Sequence, residues 1–210
     1  MQALDHARYL ALREGAHVLE ADGTGDKVLR LRDGSMLKLF RRKRLISSAA
    51  WYPYAQRFAD NCQALAERAI PCPQVLAVYR IAEIARDAVH YDPLPGDTLR
   101  QVLEQPDQPA ELRAQLGRFI ARLHDTGVYF RSAHMGNVVL TPEGALGLID
   151  VADMRIGRAS LRRSQRQRNF RHMLRYAQDR QWLLADGSFV EAYLASQQVC
   201  GPQDLASALA

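Results

Sequence analysis

Residues 129–140 read YFRSAHMGNVVL. An amide side chain, Asn137, stands directly before the apolar run VVL, and thirteen residues further on Asp150 closes a second apolar run, LGLI. Between the runs, TPEG (residues 141–144) reads as an ordinary tight turn. The stretch is a small hairpin with an amide oxygen before it and a carboxylate behind it. Those are the donors a hard divalent cation takes. Each residue also has a plainer use. Asn137 after Gly136 suits a turn, and Asp150, costly to bury alone, has Arg155 nearby as a salt-bridge partner.

Upstream, residues 110–127 read as a helix, because Leu112, Leu116, Phe119 and Leu123 form one apolar stripe and Gly127 is a plausible stop. From about residue 160 the chain reads as helical again. Towards the N-terminus, residues 17–40 read as three short strands. Gly23 and Gly25 fall in the first turn, and Asp33-Gly34 marks the second. In the third strand Met36, Lys38 and Phe40 share a face. A helix over 51–69 follows, with Pro53 in its first turn, and IPCP (70–73) stops it. QVLAVYRI and DAVHYD read as strands, and PLPGDTL (93–99) breaks the pattern, with Asp97 placed to cap a helix running into RQVL. The expected architecture is α+β: a small β-rich N-lobe over 1–92 and a mainly helical C-lobe over 93–210. Two lobes make a cleft, where ligands bind.

At 210 residues, 48% hydrophobic and 24% charged, the chain has the composition of a folded globular protein. A net charge of +5 favours anionic partners. Cys62, Cys72 and Cys200 form no CxxC pair and fit reduced thiols. The N-terminus lacks a signal-peptide pattern, and no stretch approaches the roughly 18 apolar residues of a membrane span. A cytoplasmic protein is expected.

Phosphoryl transfer from ATP needs a lysine at the phosphates, oxygens for Mg²⁺, and a group that positions and deprotonates the acceptor hydroxyl. Lys38 in MLKLF, then Asn137, then Asp150 occur in that order. The turn DGTGDK has two glycines where protein kinases have three. The segment LHDTGVYFRSAHMGNVVLTPEGALGLIDVADMR (123–155) resembles the bacterial lipopolysaccharide-core sugar kinases, the Kdo/heptose kinase family. That family shares the protein-kinase-like fold with the aminoglycoside phosphotransferases. LKLFRRKRLISSAAWYPYAQRF (37–58) is similar to a subgroup called toluene-tolerance proteins. The resemblance covers roughly residues 15–180. It implies a two-lobe protein-kinase-like fold, ATP and Mg²⁺ as cofactors, Lys38 at the nucleotide phosphates, Asn137 and Asp150 on the metal, and His90–Leu94 near the adenine; the turn holding Gly23 and Gly25 either lays backbone amides over the phosphates or is simply a hairpin turn.

The departures are specific. In the family pattern HxDxxxxN, the His falls on Phe130 and the catalytic Asp on Ser132, five residues before Asn137. Asp125 is twelve residues before Asn137 and is no shifted replacement. The helix glutamate that pairs with the lysine falls on Phe58, with Asp60 and Glu67 nearby, and DVA stands where protein kinases have Asp-Phe-Gly. A positioned base is worth about 10²–10⁴ in rate, so its loss slows a kinase without abolishing it. Ser132 can bond an acceptor hydroxyl but cannot deprotonate it at neutral pH. His134 can take a proton, contact the γ-phosphate, or simply bond its own loop.

Three readings stay open: a kinase using Ser132 and His134 as catalytic groups, acting on a lipopolysaccharide-core sugar or related envelope substrate; a pseudokinase that binds nucleotide or a partner without transfer; and a basic protein that binds anionic surfaces alone. The basic stretches are RRKR (41–44) and a helix carrying Arg162, Arg163, Arg166, Arg168 and Arg171. They read as solvated faces, the helix turning Leu161, Phe170, Met173 and Leu174 inward. Their other use is contact with phosphorylated core or acidic phospholipid at the inner face of the cytoplasmic membrane. Nucleic acid is not expected, since stacking aromatics are not interleaved.

Overall fold

Leu29, Leu37 and Leu39 are buried while their strand neighbours are less so, the signature of a sheet with one face closed over. The computed structural model describes residues 1–41, 51–105, 111–197, 199 and 201, and divides into two units, Met1–Leu94 and Pro95–Ala210.

The first unit is built on a six-stranded sheet in the order β1-β5-β6-β4-β3-β2. Its strands are β1 (Gln2–Ala3), β2 (His17–Asp22), β3 (Gly25–Arg30), β4 (Met36–Arg41), β5 (Gln74–Ile81) and β6 (Arg86–Asp92). β1 joins β5 in parallel, and the other pairs are antiparallel. The sequence pattern missed β1 and the helix after it, α1 (His6–Arg13), whose first turn is capped by Asp5 accepting from the Arg8 amide. Tyr9 of α1 closes a core with Leu4, Leu29, Leu37, Leu39 and Ile81. The opposite face is covered by α2 (Tyr54–Ala66), which buries Ala55, Phe58, Cys62 and Leu65 at helical spacing. Pro53 is its N-cap, so the helix is shorter than the expected 51–69 span. Cys62 and Cys72 are free thiols, with Cys72 Sγ donating to Cys62 O. Most of the RRKR stretch, and Cys200, lie outside the described residues.

In the second unit, α3 (Leu99–Leu103) is capped by Thr98 and Gln101, whose side chains meet in a capping box. Asp97 is therefore not the cap: it sits with Thr98 in a two-residue strand, β7 (Asp97–Thr98), paired to Leu140 and Val139. α4 (Leu112–Asp125) buries the expected stripe. Gly127 follows with φ +78, a left-handed conformation that glycine adopts without cost. The hairpin is β9 (Val138–Leu140) and β10 (Leu146–Leu148). Two strands absent from the sequence reading, β8 (Val128–Phe130) and β11 (Met154–Ile156), form a separate ribbon. The helices α5 (Arg163–Met173), α6 (Ala177–Leu184) and α7 (Ser188–Ala195) complete the unit.

Arg166 corrects the reading of α5 as a helix with all its arginines in solvent: it is 0% exposed. Its guanidinium donates to Leu161 O (3.0 Å), Tyr193 Oη (3.1 Å), Ser160 Oγ (2.7 Å) and the Asp125 carboxylate. His124, also buried, contacts Tyr193 through Nδ1 (3.0 Å) and Asn169 Oδ1 through Nε2 (3.2 Å). Buried polar groups this well paired carry no desolvation deficit, and here they tie α4, α5 and α7 together. No helix of the described residues is long and apolar enough to cross a membrane.

Candidate functional site

β8 and β11 decide how the loop is held. Phe130 pairs with Met154 across the ribbon, so the loop that leaves β8 and the segment that enters β11 lie side by side. Asn169 Nδ2 donates to Phe130 O at 2.6 Å, which fastens the start of the loop to α5. The loop then makes a short 3₁₀ turn over Met135–Asn137, which His134 caps by accepting the Gly136 amide on Nδ1 (3.2 Å).

Asn137 is buried. Its Nδ2 donates to Ser132 O at 3.0 Å, and among the described residues its Oδ1 accepts no hydrogen bond. A buried amide oxygen left unused is uncommon and suits an absent electropositive ligand. Ile149 N donates to Asn137 O at 3.0 Å, bringing Asp150 beside the same loop. Asp150 is exposed, so burial demands no counter-charge there. Its backbone is left-handed, φ 53 and ψ 48. The structure thus brings Ser132, His134, Asn137 and Asp150 together in one unit. The donor set, one amide and one carboxylate oxygen, fits magnesium that keeps waters and phosphate oxygens as its other ligands.

Ser132 and His134 open onto a cavity of about 240 Å³ that Arg131, Asp153, His172 and Arg175 also line. Arg131 reaches Asp153 at 3.5 Å. Tyr176 forms a further wall, edge-on to His134 at 6.0 Å and under the Arg100 guanidinium at 5.0 Å, while Arg100 itself grips buried Asp179 at 2.8 and 3.1 Å. Burial, then the Arg100 charge, push the His134 ring below its usual range. Burial, then Arg168, Arg131 and Arg175, do the same to His172. Both shifts favour the neutral ring. With Nδ1 of His134 accepting from Gly136, its proton is assigned to Nε2. Asp153, His172 and Arg175 were not singled out from the sequence. The signal for Asp153 was present, a second carboxylate three residues after Asp150 in DVAD, whereas nothing in the basic helix marks His172 and Arg175 as facing the loop.

The other candidates belong to the first unit. Lys38 is half-buried in mid-β4, opposite Val28 and Val89. Its Nζ is 5.9 Å from the Phe40 ring, which stacks on Tyr54 of α2, so the amine lies on the α2 face. On α2 the position expected for a glutamate is Phe58, packed into the core against Tyr91 at 5.0 Å. Asp60 accepts from Tyr52 Oη and from Gln56 Nε2 (2.8 Å), and Glu67 accepts from Gln63 Nε2 (3.2 Å). His90, in the expected adenine segment, contacts Ser35 Oγ at 2.8 Å. Gly23 and Gly25 flank Thr24 in a tight hairpin turn, where Thr24 N and Oγ1 both donate to Asp22 Oδ1, at 2.8 and 2.6 Å. Those bonds hold the Asp22 carboxyl at about 2. The Asp22 carboxylate also pairs with Lys27 at 3.4 Å, and the Thr24 amide is committed to it, which is poor provision for a phosphate.

The description "Phosphotransferase enzyme family" (APH) matches residues 17–132, ending five residues short of Asn137. No curated protein matches the chain in sequence. Among solved structures, a divergent kinase lacking the glycine-rich loop, which regulates membrane ultrastructure of the Toxoplasma parasitophorous vacuole, is similar at TM-score 0.53 and 17% identity, over 95% of this chain and 83% of that one. The fold is protein-kinase-like, with a β-sheet N-terminal region and a mainly helical remainder.

Proposed function

The chain belongs to the phosphotransferase enzyme family, and we propose that it is an ATP-dependent kinase in which Asn137 and Asp150 hold the nucleotide's magnesium and Lys38 neutralises its phosphates. The observation that carries the reading is the buried, unused Oδ1 of Asn137 beside Asp150. Magnesium, when bound, would offset the charge that develops on the transferred phosphoryl group.

The chain's own groups divide the remaining work. Ser132 orients the acceptor hydroxyl. His134 presents an Nε2–H, a donor for a phosphate oxygen, and its Nδ1 is occupied, so it is not the base. Asp153 is the carboxylate lining the same cavity as Ser132, and it is the group placed to take the acceptor's proton. Support for a lipopolysaccharide-core sugar or related envelope acceptor comes from the resemblance of residues 123–155. Exposed Arg162, Arg163, Arg168 and Arg171 suit work at the inner face of the cytoplasmic membrane.

A second reading, a nucleotide-binding pseudokinase, is favoured by Ser132 at the base's place and by the committed Thr24 amide. Thermal-shift titration with Mg-ATP tests both. The wild type should be stabilised, and Asp150→Asn should not. Absence of any shift in the wild type ends both readings. A shift with no ATP turnover, across a panel of sugars and sugar phosphates, leaves the second.

A further inference from the structure

Building on that kinase reading, we propose that the cavity beside the loop binds an anionic group on the acceptor, so that the acceptor is a hydroxyl compound already carrying a phosphate monoester or a carboxylate. Among the described residues, two guanidiniums, Arg131 and Arg175, and two imidazoles, His134 and His172, line the cavity against a single carboxylate, Asp153. Two guanidiniums against that carboxylate leave the lining net positive without any charge on the rings, and Arg131 stands 3.5 Å from Asp153, long for an ion pair. Guanidinium forks match the oxygens of phosphate and carboxylate, and the imidazoles add N–H donors. An amino sugar would bring its ammonium against two arginines. The volume, about 240 Å³, lies below the roughly 300–1,000 Å³ of a pocket for a whole drug-sized ligand. It suits one anionic group with the adjoining part of a sugar. Ser132 opens onto the same space, so a group anchored there leaves a neighbouring hydroxyl at the loop.

The test uses the full chain without nucleotide, titrated with glucose 6-phosphate, inorganic phosphate, glucose and glucosamine. Binding is read by calorimetry and by the ring nitrogen resonances of His134 and His172. Glucose 6-phosphate should bind saturably and move both rings; glucose and glucosamine should do neither. Arg175→Ala should weaken binding about ten- to a hundredfold, the equivalent of one charge-assisted hydrogen bond. Arg175→Lys should recover part of that loss, and Arg118→Ala, at an exposed position of α4, should change nothing. Equal binding of glucose, inorganic phosphate binding without the sugar phosphate, or no movement of the rings would overturn the proposal. So would Mg-ATP alone moving His172 and excluding the sugar phosphate, since the cavity would then belong to the nucleotide. Sugar-phosphate binding in a protein that Mg-ATP does not stabilise would instead remove the kinase reading and leave the anion site standing.

Discussion

Asp150 occupies a left-handed backbone conformation, at φ 53, which costs an L-residue about 1–2 kcal/mol and which Asp and Asn tolerate best. It is held there because Ile149 is bonded to Asn137 O. Strain retained beside chemistry-bearing groups points to use. Asp150→Asn should keep the melting temperature within a degree or two while abolishing the Mg-ATP shift. Asp150→Gly should lose the same shift and raise stability by about 1 kcal/mol, as strain is relieved. Asp153→Asn should lower kcat by about 10²–10⁴ with Mg-ATP binding intact; an unchanged kcat would remove Asp153 as the base. His124 gives a pH prediction. Burial, reinforced by Arg166, pushes its ring from 6.5 to about 3. The unfolded chain takes up that proton near pH 6.5 and the folded chain refuses it until about 3. The contribution of the neutral ring is thus complete above pH 6.5 and falls by about 1.4 kcal/mol per pH unit below it. Urea unfolding between pH 7 and 4 should show a shallower decline in His124→Gln than in the wild type.

Among elements, the α4–α7 packing depends on Gly117. A Cβ there would meet Phe189 O at 2.3 Å and Tyr193 N at 3.0 Å, both backbone atoms of α7. A Cβ on α4 would meet the backbone of α7, and neither of those atoms can rotate away. Gly117→Ala should cost about 1–3 kcal/mol by overpacking, despite alanine's better helix propensity, and denaturant midpoints would show it. The loop has its own anchor in Asn169, which bonds both His124 and Phe130 O. Asn169→Ala should leave His134 and Ser132 less well held and reduce kcat more than nucleotide affinity, a split that steady-state kinetics can read.

For the whole molecule, Leu29, Leu37 and Tyr9 belong to a core cluster of the first unit, and Leu116, Phe170 and Phe189 are buried in the second. Phe58→Ala, at a site 1% exposed, should cost about 3–5 kcal/mol. Hydrogen exchange should then show protection lost over Met1–Leu94 and largely kept over Pro95–Ala210; equal loss in both would mean that the cores unfold together.

The strands of residues 17–40, the pair β5 and β6, and the apolar stripe of α4 were legible because each repeats a period long enough to register. That Asn137 and Asp150 lie side by side was legible because the chain between them is a hairpin, which returns its far end to its start. Periodicity has no purchase on three-residue strands such as VYF and MRI, and β8 and β11 escaped for that reason. Composition misplaced Arg166, since a guanidinium normally belongs in water and only its bonds to groups such as Leu161 O, Asp125, Ser160 and Tyr193 make its burial tolerable. What the sequence determined alone is what local rules settle: the elements, their order, and an amide and a carboxylate flanking a hairpin. Only the tertiary structure decided that Arg131, Asp153, His172 and Arg175 face one space with Ser132. Those residues come from three segments, and charges far apart along a chain acquire a common field only when strand pairing and helix packing bring them within a few ångströms.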